Sequence, residues 1–215
     1  MYRALQIWLK QYLAPAIFAA IFIYLGLALS NQALFSIQDF AGQLCHETSG
    51  KISTLEPGDK ITLPIFQTSQ LCQNMEVLLE QDAKYFIRLQ IIEPFRDGDI
   101  EASKGFNSSD LPALGKKLIM SAAVPLRREL VRPWFRVVAR IGGRAGEEVF
   151  LDPDPKDGSI AEVITATRDG QLFLFVNDAV LPIPGFYDYF YTNNQGKAEV
   201  TITRQKSCFV CPDNK

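Results

Sequence analysis

The sequence predicts a mainly β protein: an antiparallel β-sandwich of the jelly-roll type, carried behind one N-terminal transmembrane helix. Three observations lead there. No charged residue occurs between Lys10 and Asp39. From about residue 50 onward, apolar residues recur with period two in short runs separated by Gly, Pro, Asn and Asp turns. The four cysteines form an even set, as expected of an exported domain held by disulfides.

The apolar segment comes first. Leu13 to Leu29 reads LAPAIFAAIFIYLGLAL, and extension through Ser30, Asn31 and Gln32 to Ile37 supplies the roughly 20 residues needed to cross a bilayer. Pro15 falls near the helix start, where its missing N–H costs least. Trp8, Tyr12 and Tyr24 are aromatics of the kind found at membrane interfaces. A buried core helix would rarely be apolar on every side. A cleaved signal peptide, with Arg3 and Lys10 as its basic region and Ala28 and Ser30 near the cut, is the stronger rival. The run is longer than the usual signal core, which favours retention. Arg3 and Lys10 precede the segment, while Asp39 and Glu47 follow it before Lys51. The positive-inside rule therefore puts the bulk of the chain outside the cytoplasm, in the periplasm of a bacterial inner-membrane protein. The expected organisation is 1–12 cytoplasmic, 13–37 transmembrane, 38–56 linker, 57–206 sandwich and 207–215 tail.

The strands follow in order. Lys60–Phe66 follows the turn Pro57-Gly58-Asp59, and Lys84–Ile91 puts Tyr85, Ile87, Leu89 and Ile91 on one face. Phe135–Ile141 turns Phe135, Val137, Ala139 and Ile141 inward and Arg136 and Arg140 outward. Gln171–Val176 is apolar on both faces, and Lys197–Arg204 alternates Ala198, Val200 and Ile202 against polar residues. Shorter strands are expected at Met75–Leu79, Glu148–Leu151 and Glu162–Thr165. Residues 96–132 read as a long excursion with at most a short helix or strand.

Cys45, Cys72, Cys208 and Cys211 are expected as two disulfides, with Cys45–Cys72 tying the segment after the anchor to the domain. Free thiols, or a redox or half-zinc role for Cys208 and Cys211 in Cys-Phe-Val-Cys, are the other readings. A zinc site of four cysteines, or of three with His46 (the sole histidine), stays open by arithmetic. A net charge of −2 speaks against a nucleic-acid binder, which would show a basic face.

The chemistry concentrates between Asp169 and Thr203. A strand ends at Asn177-Asp178, an aromatic loop follows, and Thr192-Asn193-Asn194-Gln195-Gly196 opens the last strand. A carboxylate with amide oxygens is a donor set for a hard cation such as calcium, while Asn, Asp and Gly are also ordinary turn residues. Tyr187, Tyr189 and Tyr191, with Phe186 and Phe190, could form a platform for a sugar ring, touch a membrane, or pack beneath the loop. Asp152-Pro-Asp-Pro-Lys-Asp157 reads as a solvated loop. Arg127, Arg128, Arg132 and Arg136 could grip phosphate or serve as a solvated face.

The segment Gly170-Gln-Leu-Phe-Leu-Phe-Val-Asn-Asp178, followed by Asn193-Asn194-Gln-Gly196, resembles the end of the calcium-dependent galactose-binding bacterial lectins. Pro57–Leu63 and Ala139–Gly143 resemble an early and a central strand of the same small jelly rolls. The resemblance implies that Asp178, Asn193 and Asn194 hold calcium, which in turn binds sugar hydroxyls. Asn177, Tyr187, Tyr189 and Tyr191 are the expected ligand contacts. The loop from Ala179 to Thr192 is longer than in the lectins. The order Tyr-Leu-Ala-Pro15, Pro125-Leu-Arg-Arg128, Pro133-Trp-Phe135, Arg140-Ile-Gly142, then Leu174–Asp178, is similar to the C-terminal part of proteins related to type VI secretion phospholipase effectors. No G-x-S-x-G nucleophile elbow is present, so the expected role is binding of a glycan or docking of a protein partner rather than catalysis.

Overall fold

The structure, a computed structural model, describes residues 9–154 and 157–206. Arg3, Trp8, Cys208 and Cys211 lie outside the described residues. A π-helical turn at Leu9–Leu13 leads into helix α1, Ala14–Phe40, with Pro15 in its first turn. The stretch Gln11–Phe40 is long and apolar enough to cross a membrane, and none of its most apolar window is buried in the protein. That excludes the core-helix reading for this stretch.

Helix α1 ends in a Schellman motif. The Gly42 N–H donates to the Asp39 carbonyl at 2.9 Å, and the Gln43 N–H to that of Gln38 at 3.0 Å. Gly42 takes φ +74°, which an L side chain resists, and an added Cβ would sit 2.9 Å from the Arg144 side chain.

Among the described residues nine strands follow: β1 Lys60–Gln67, β2 Gln73–Leu79, β3 Lys84–Asp97, β4 Ile100–Glu101, β5 Val137–Ile141, β6 Glu147–Phe150, β7 Ile160–Thr165, β8 Gly170–Val176 and β9 Asn194–Arg204. They form two antiparallel sheets. One runs β1-β9-β3-β4, with β7 pairing the first half of β3, and the other runs β2-β8-β5-β6. Period-two patterning holds where one face meets the core: Tyr85, Ile87 and Leu89 of β3 and Ala198, Val200 and Ile202 of β9 are buried. Their partners from the other sheet are Met75, Val77, Leu79, Leu172, Leu174 and Val176, all in one core. Residues 102–136 form the excursion, with the short helix α2 at Leu114–Ala122.

Two expectations change. Arg140 does not face solvent: it is buried, because the last turn of α1 brings Asp39 over it on the outer face of β5. Phe173 and Phe175, paired across from Arg140 and Val138, are buried on that face as well, with the Arg128 guanidinium over the Phe175 ring. Segment 38–56 is also packed rather than loose. Helix α1 runs through Phe40, and Leu44, Cys45 and Leu55 join the core. Cys45 and Cys72 form a disulfide with Cα atoms 5.2 Å apart, tying the chain just past α1 to the start of β2. That pairing removes both sulfurs from any zinc site.

Candidate functional site

At one end of the sandwich the C-termini of β3 and β8 and the N-terminus of β9 come together. Asp97, the last residue of β3, pairs in register with Asn194, the first of β9. The Asp97-Gly98-Asp99 turn follows, with Gly98 at φ +54°, and β4 pairs back through Asp97 and Ile100. Asp178 lies two residues beyond β8. The long 179–193 loop does not carry the Asn pair away. It folds back through a 3-10 turn at Tyr189–Asn193, and Tyr191 is fully buried beneath it, its hydroxyl donating to the Val176 carbonyl at 2.6 Å. That plug returns Asn194 to Asp178.

Asp178 is 3% exposed and Asn194 5%. Asn194 Nδ2 donates to Asp178 Oδ2 at 2.8 Å, and the Ala179 N–H donates to Asp178 Oδ1 at 2.7 Å. Asn193, exposed, donates from Nδ2 to Asp97 Oδ1 at 2.9 Å. Asn194 Oδ1 is buried with no hydrogen-bond partner, which is costly for an amide oxygen. Burial, and then the charge of Asp97, push the Asp178 carboxyl up to about 7. Burial also raises Asp97, partly offset by its bond from Asn193. Two carboxylates and two amides thus share one sheet end, with one orphan oxygen and one reluctant anion. The donors suit a hard, oxygen-seeking cation. Among the described residues no cluster of three or more His, Cys, Asp or Glu could hold a metal, so the amides would be essential to such a site.

The other expected contacts divide. Asn177 is fully buried and clamps the chain from Glu129 to Pro133: Oδ1 accepts from the Glu129 N–H at 2.8 Å, while Nδ2 donates to the carbonyls of Glu129 and Pro133, both at 3.0 Å. Neither Asn177 nor Tyr191 offers surface to a ligand, because their polar atoms are spent inward on the backbone. Tyr187 donates to Gln43 Oε1 at 2.7 Å, just past α1. Tyr189 is exposed and meets Phe190 edge-on at 5.3 Å, and Phe186, three residues before Tyr189, is exposed as well.

The arginines are largely spent within the protein. Arg128 is buried with its guanidinium 3.4 Å from the Phe175 ring centroid, Arg127 lies over Trp134, and Arg136 pairs with Asp152 at 3.2 Å. A charged junction joins α1 to the second sheet instead. Arg140 bridges Asp39 at 2.8 Å and Glu148 at 2.7 Å. They line a cavity of about 460 Å³ together with Phe35, Arg128 and Glu129. Burial and the neighbouring Glu148 push Glu129 up to about 7. Asp97 and this junction escaped sequence reading. The Asp-Gly pair was a hairpin signal that could have revealed the first. Nothing in the sequence brings Asp39 to Arg140.

No family model matches this chain, and no curated protein matches its sequence. The functional reading therefore rests on the geometry.

Proposed function

We propose that this chain is a membrane-anchored binding protein whose sandwich takes up a polar ligand, a glycan first among the candidates, at the Asp97/Asp178/Asn193/Asn194 end. The observation that carries the reading is Asn194. Its Oδ1 is buried without a partner, beside a carboxyl held up to about 7 by burial and a second acid. A hard cation such as calcium relieves both costs, because it accepts lone pairs from amide and carboxylate oxygens and offsets their charge. The residues that would hold it are Asp178, Asn193 and Asn194, with Asp97 added to the set drawn from the lectin resemblance. When bound, such an ion supplies a positive centre for ligand hydroxyls. The exposed ring of Tyr189, in the same turn as Asn193, offers an apolar face to a sugar.

In this reading the sandwich faces the periplasm and catalysis belongs to another domain or protein, in line with the resemblance to type VI phospholipase-related chains. A docking role for a protein partner is the second reading, favoured by the exposed Ile183 and Phe186 on the same loop. Calorimetric titration of calcium chloride into the full chain in detergent micelles separates them, followed by retention on galactose resin with and without chelator. Binding heat and chelator-sensitive retention, both lost in Asn194→Ala, support the first reading. Absence of both refutes it.

A further inference from the structure

Helix α2 is inside out for a helix on a water-facing surface. At 100° per residue, Leu114, Gly115, Leu118, Ile119 and Ala122 share one arc, while Lys116, Lys117, Met120 and Ser121 share the other. The first arc is the exposed one: Leu114 is 71% exposed, Leu118 62% and Ile119 68%. The other arc holds buried Met120, two half-buried lysines and, at its end, exposed Ser121, and Lys116 reaches Asp99 at 2.5 Å. An amphipathic helix in water turns the opposite face outward.

Its position along α1 says what covers that face. The Tyr24 hydroxyl donates to the Ser121 carbonyl at 3.2 Å. Seven or eight residues further along α1, Asn31 and Gln32 donate to the Pro125 carbonyl at 3.0 and 3.3 Å, and Gln32 also to that of Arg127 at 2.9 Å. The apolar stretch from Gln11 to Tyr24 rises only about 20 Å, too short for a hydrocarbon core of about 30 Å. Counting about 20 residues from Gln11 puts the boundary near Ser30, which leaves Tyr24 about 9 Å inside it. The polar pair Asn31/Gln32 then falls at the water boundary.

We propose that α2 is an in-plane membrane helix, with Leu114, Leu118 and Ile119 inserted among the acyl chains of the leaflet on the sandwich's side. The depth agrees with the roughly 5–10 Å at which interfacial amphipathic helices bury their apolar faces. The Tyr24–Ser121 contact brings the end of α2 against α1, so lipid around α1 also reaches α2, and Lys116 and Lys117 lie on the arc away from Leu114, Leu118 and Ile119. The sandwich is thereby seated against the bilayer at two points, which fixes the orientation of its ligand end relative to the membrane. This inference rests on α1 being a membrane span.

The test is nitroxide accessibility in the full chain, reconstituted in phosphatidylethanolamine–phosphatidylglycerol vesicles. Cys208 and Cys211 are replaced by serine so that only an introduced cysteine takes the label. Leu118→Cys reports on α2, and Leu25→Cys on the exposed side of α1 next to Tyr24. The expected result is that both labels are reached by oxygen in preference to a water-soluble nickel complex. If Leu25→Cys is lipid-exposed but Leu118→Cys is reached by nickel, α2 lies in water: the inference falls and the anchor stands. Nickel access at both sites overturns the anchor reading and the inference together. A label at 118 immobilised and shielded from both reagents means a second protein surface covers α2, which also overturns it.

Discussion

Asp178→Asn should make the cation-free protein more stable at neutral pH and flatten its pH dependence. The carboxyl of Asp178 is raised from 3.8 to about 7 in the fold. An acid whose folded value is raised binds its proton more tightly when folded. Its stabilising share is complete below the unfolded value and is lost as pH rises through the folded one. Between pH 5 and 7 the loss is about 2–3 kcal/mol. For a body of this size that amounts to roughly 5–11 °C in Tm. Asparagine keeps the shape and removes the charge. Its oxygen can accept from the Ala179 N–H, as the carboxylate does. Glu129, also raised to about 7, titrates in the same direction and remains as a residual slope. Asp110 and Asp157 are held low by local hydrogen bonds and titrate below the window. The assay is thermal melting of the full chain in detergent with chelator, every half unit from pH 5 to 8. Equal slopes in both proteins, or an Asp178→Asn chain less stable than wild type at pH 8, would refute the reasoning.

Arg140→Met removes the bridge between Asp39 and Glu148, leaving two part-buried carboxylates facing each other. A loss of about 3–5 kcal/mol is expected, read as a lowered denaturation midpoint, with partial recovery in Arg140→Met/Asp39→Asn/Glu148→Gln. Reduction of Cys45–Cys72, 27 residues apart, should cost about 3.5 kcal/mol, seen as a lowered midpoint in reductant that is absent from Cys45→Ala/Cys72→Ala. Asn177→Ala leaves the Glu129 N–H and several carbonyls unpaired, so it should cost about 2–4 kcal/mol while leaving calcium affinity within twofold by calorimetry. A large affinity loss there would restore Asn177 as a ligand contact.

Much of the fold was legible because each strand keeps one rhythm. Where Ala198, Val200 and Ile202 face a core and Glu199 and Thr201 do not, period two states the answer. It failed where a second layer covers the other face. Arg140 reads as outward by alternation, yet it is buried under α1, a contact between residues 101 apart that no local pattern encodes. Similarly, a strongly apolar α1 predicts a span but not that its polar stripe of Asn31, Gln32, Gln38 and Asp39 docks on the domain. At the candidate site, Asp178 and Asn194 were readable as polar ends of successive strands; they meet, although β8 and β9 belong to different sheets and do not pair. Asp97 was hidden in the irregular stretch after Ile91, where β3 continues through a doubly shifted register with β9. Tyr191 could be read either as a ligand contact or as packing beneath the loop, because an aromatic-rich loop carries no sign of which ring turns inward.

Thermal melting of the full chain at pH 8, with calcium and with chelator, in wild type and Asp178→Asn, tests the central claim most directly. Calcium at about 100 times its dissociation constant should stabilise wild type by about 2.7 kcal/mol, roughly 5–11 °C. The gain should shrink at pH 5.5, where protons compete for Asp178, and vanish in the variant. Superimposable wild-type curves with calcium and with chelator would contradict the cation site and leave the polar end of the sandwich as a packed turn.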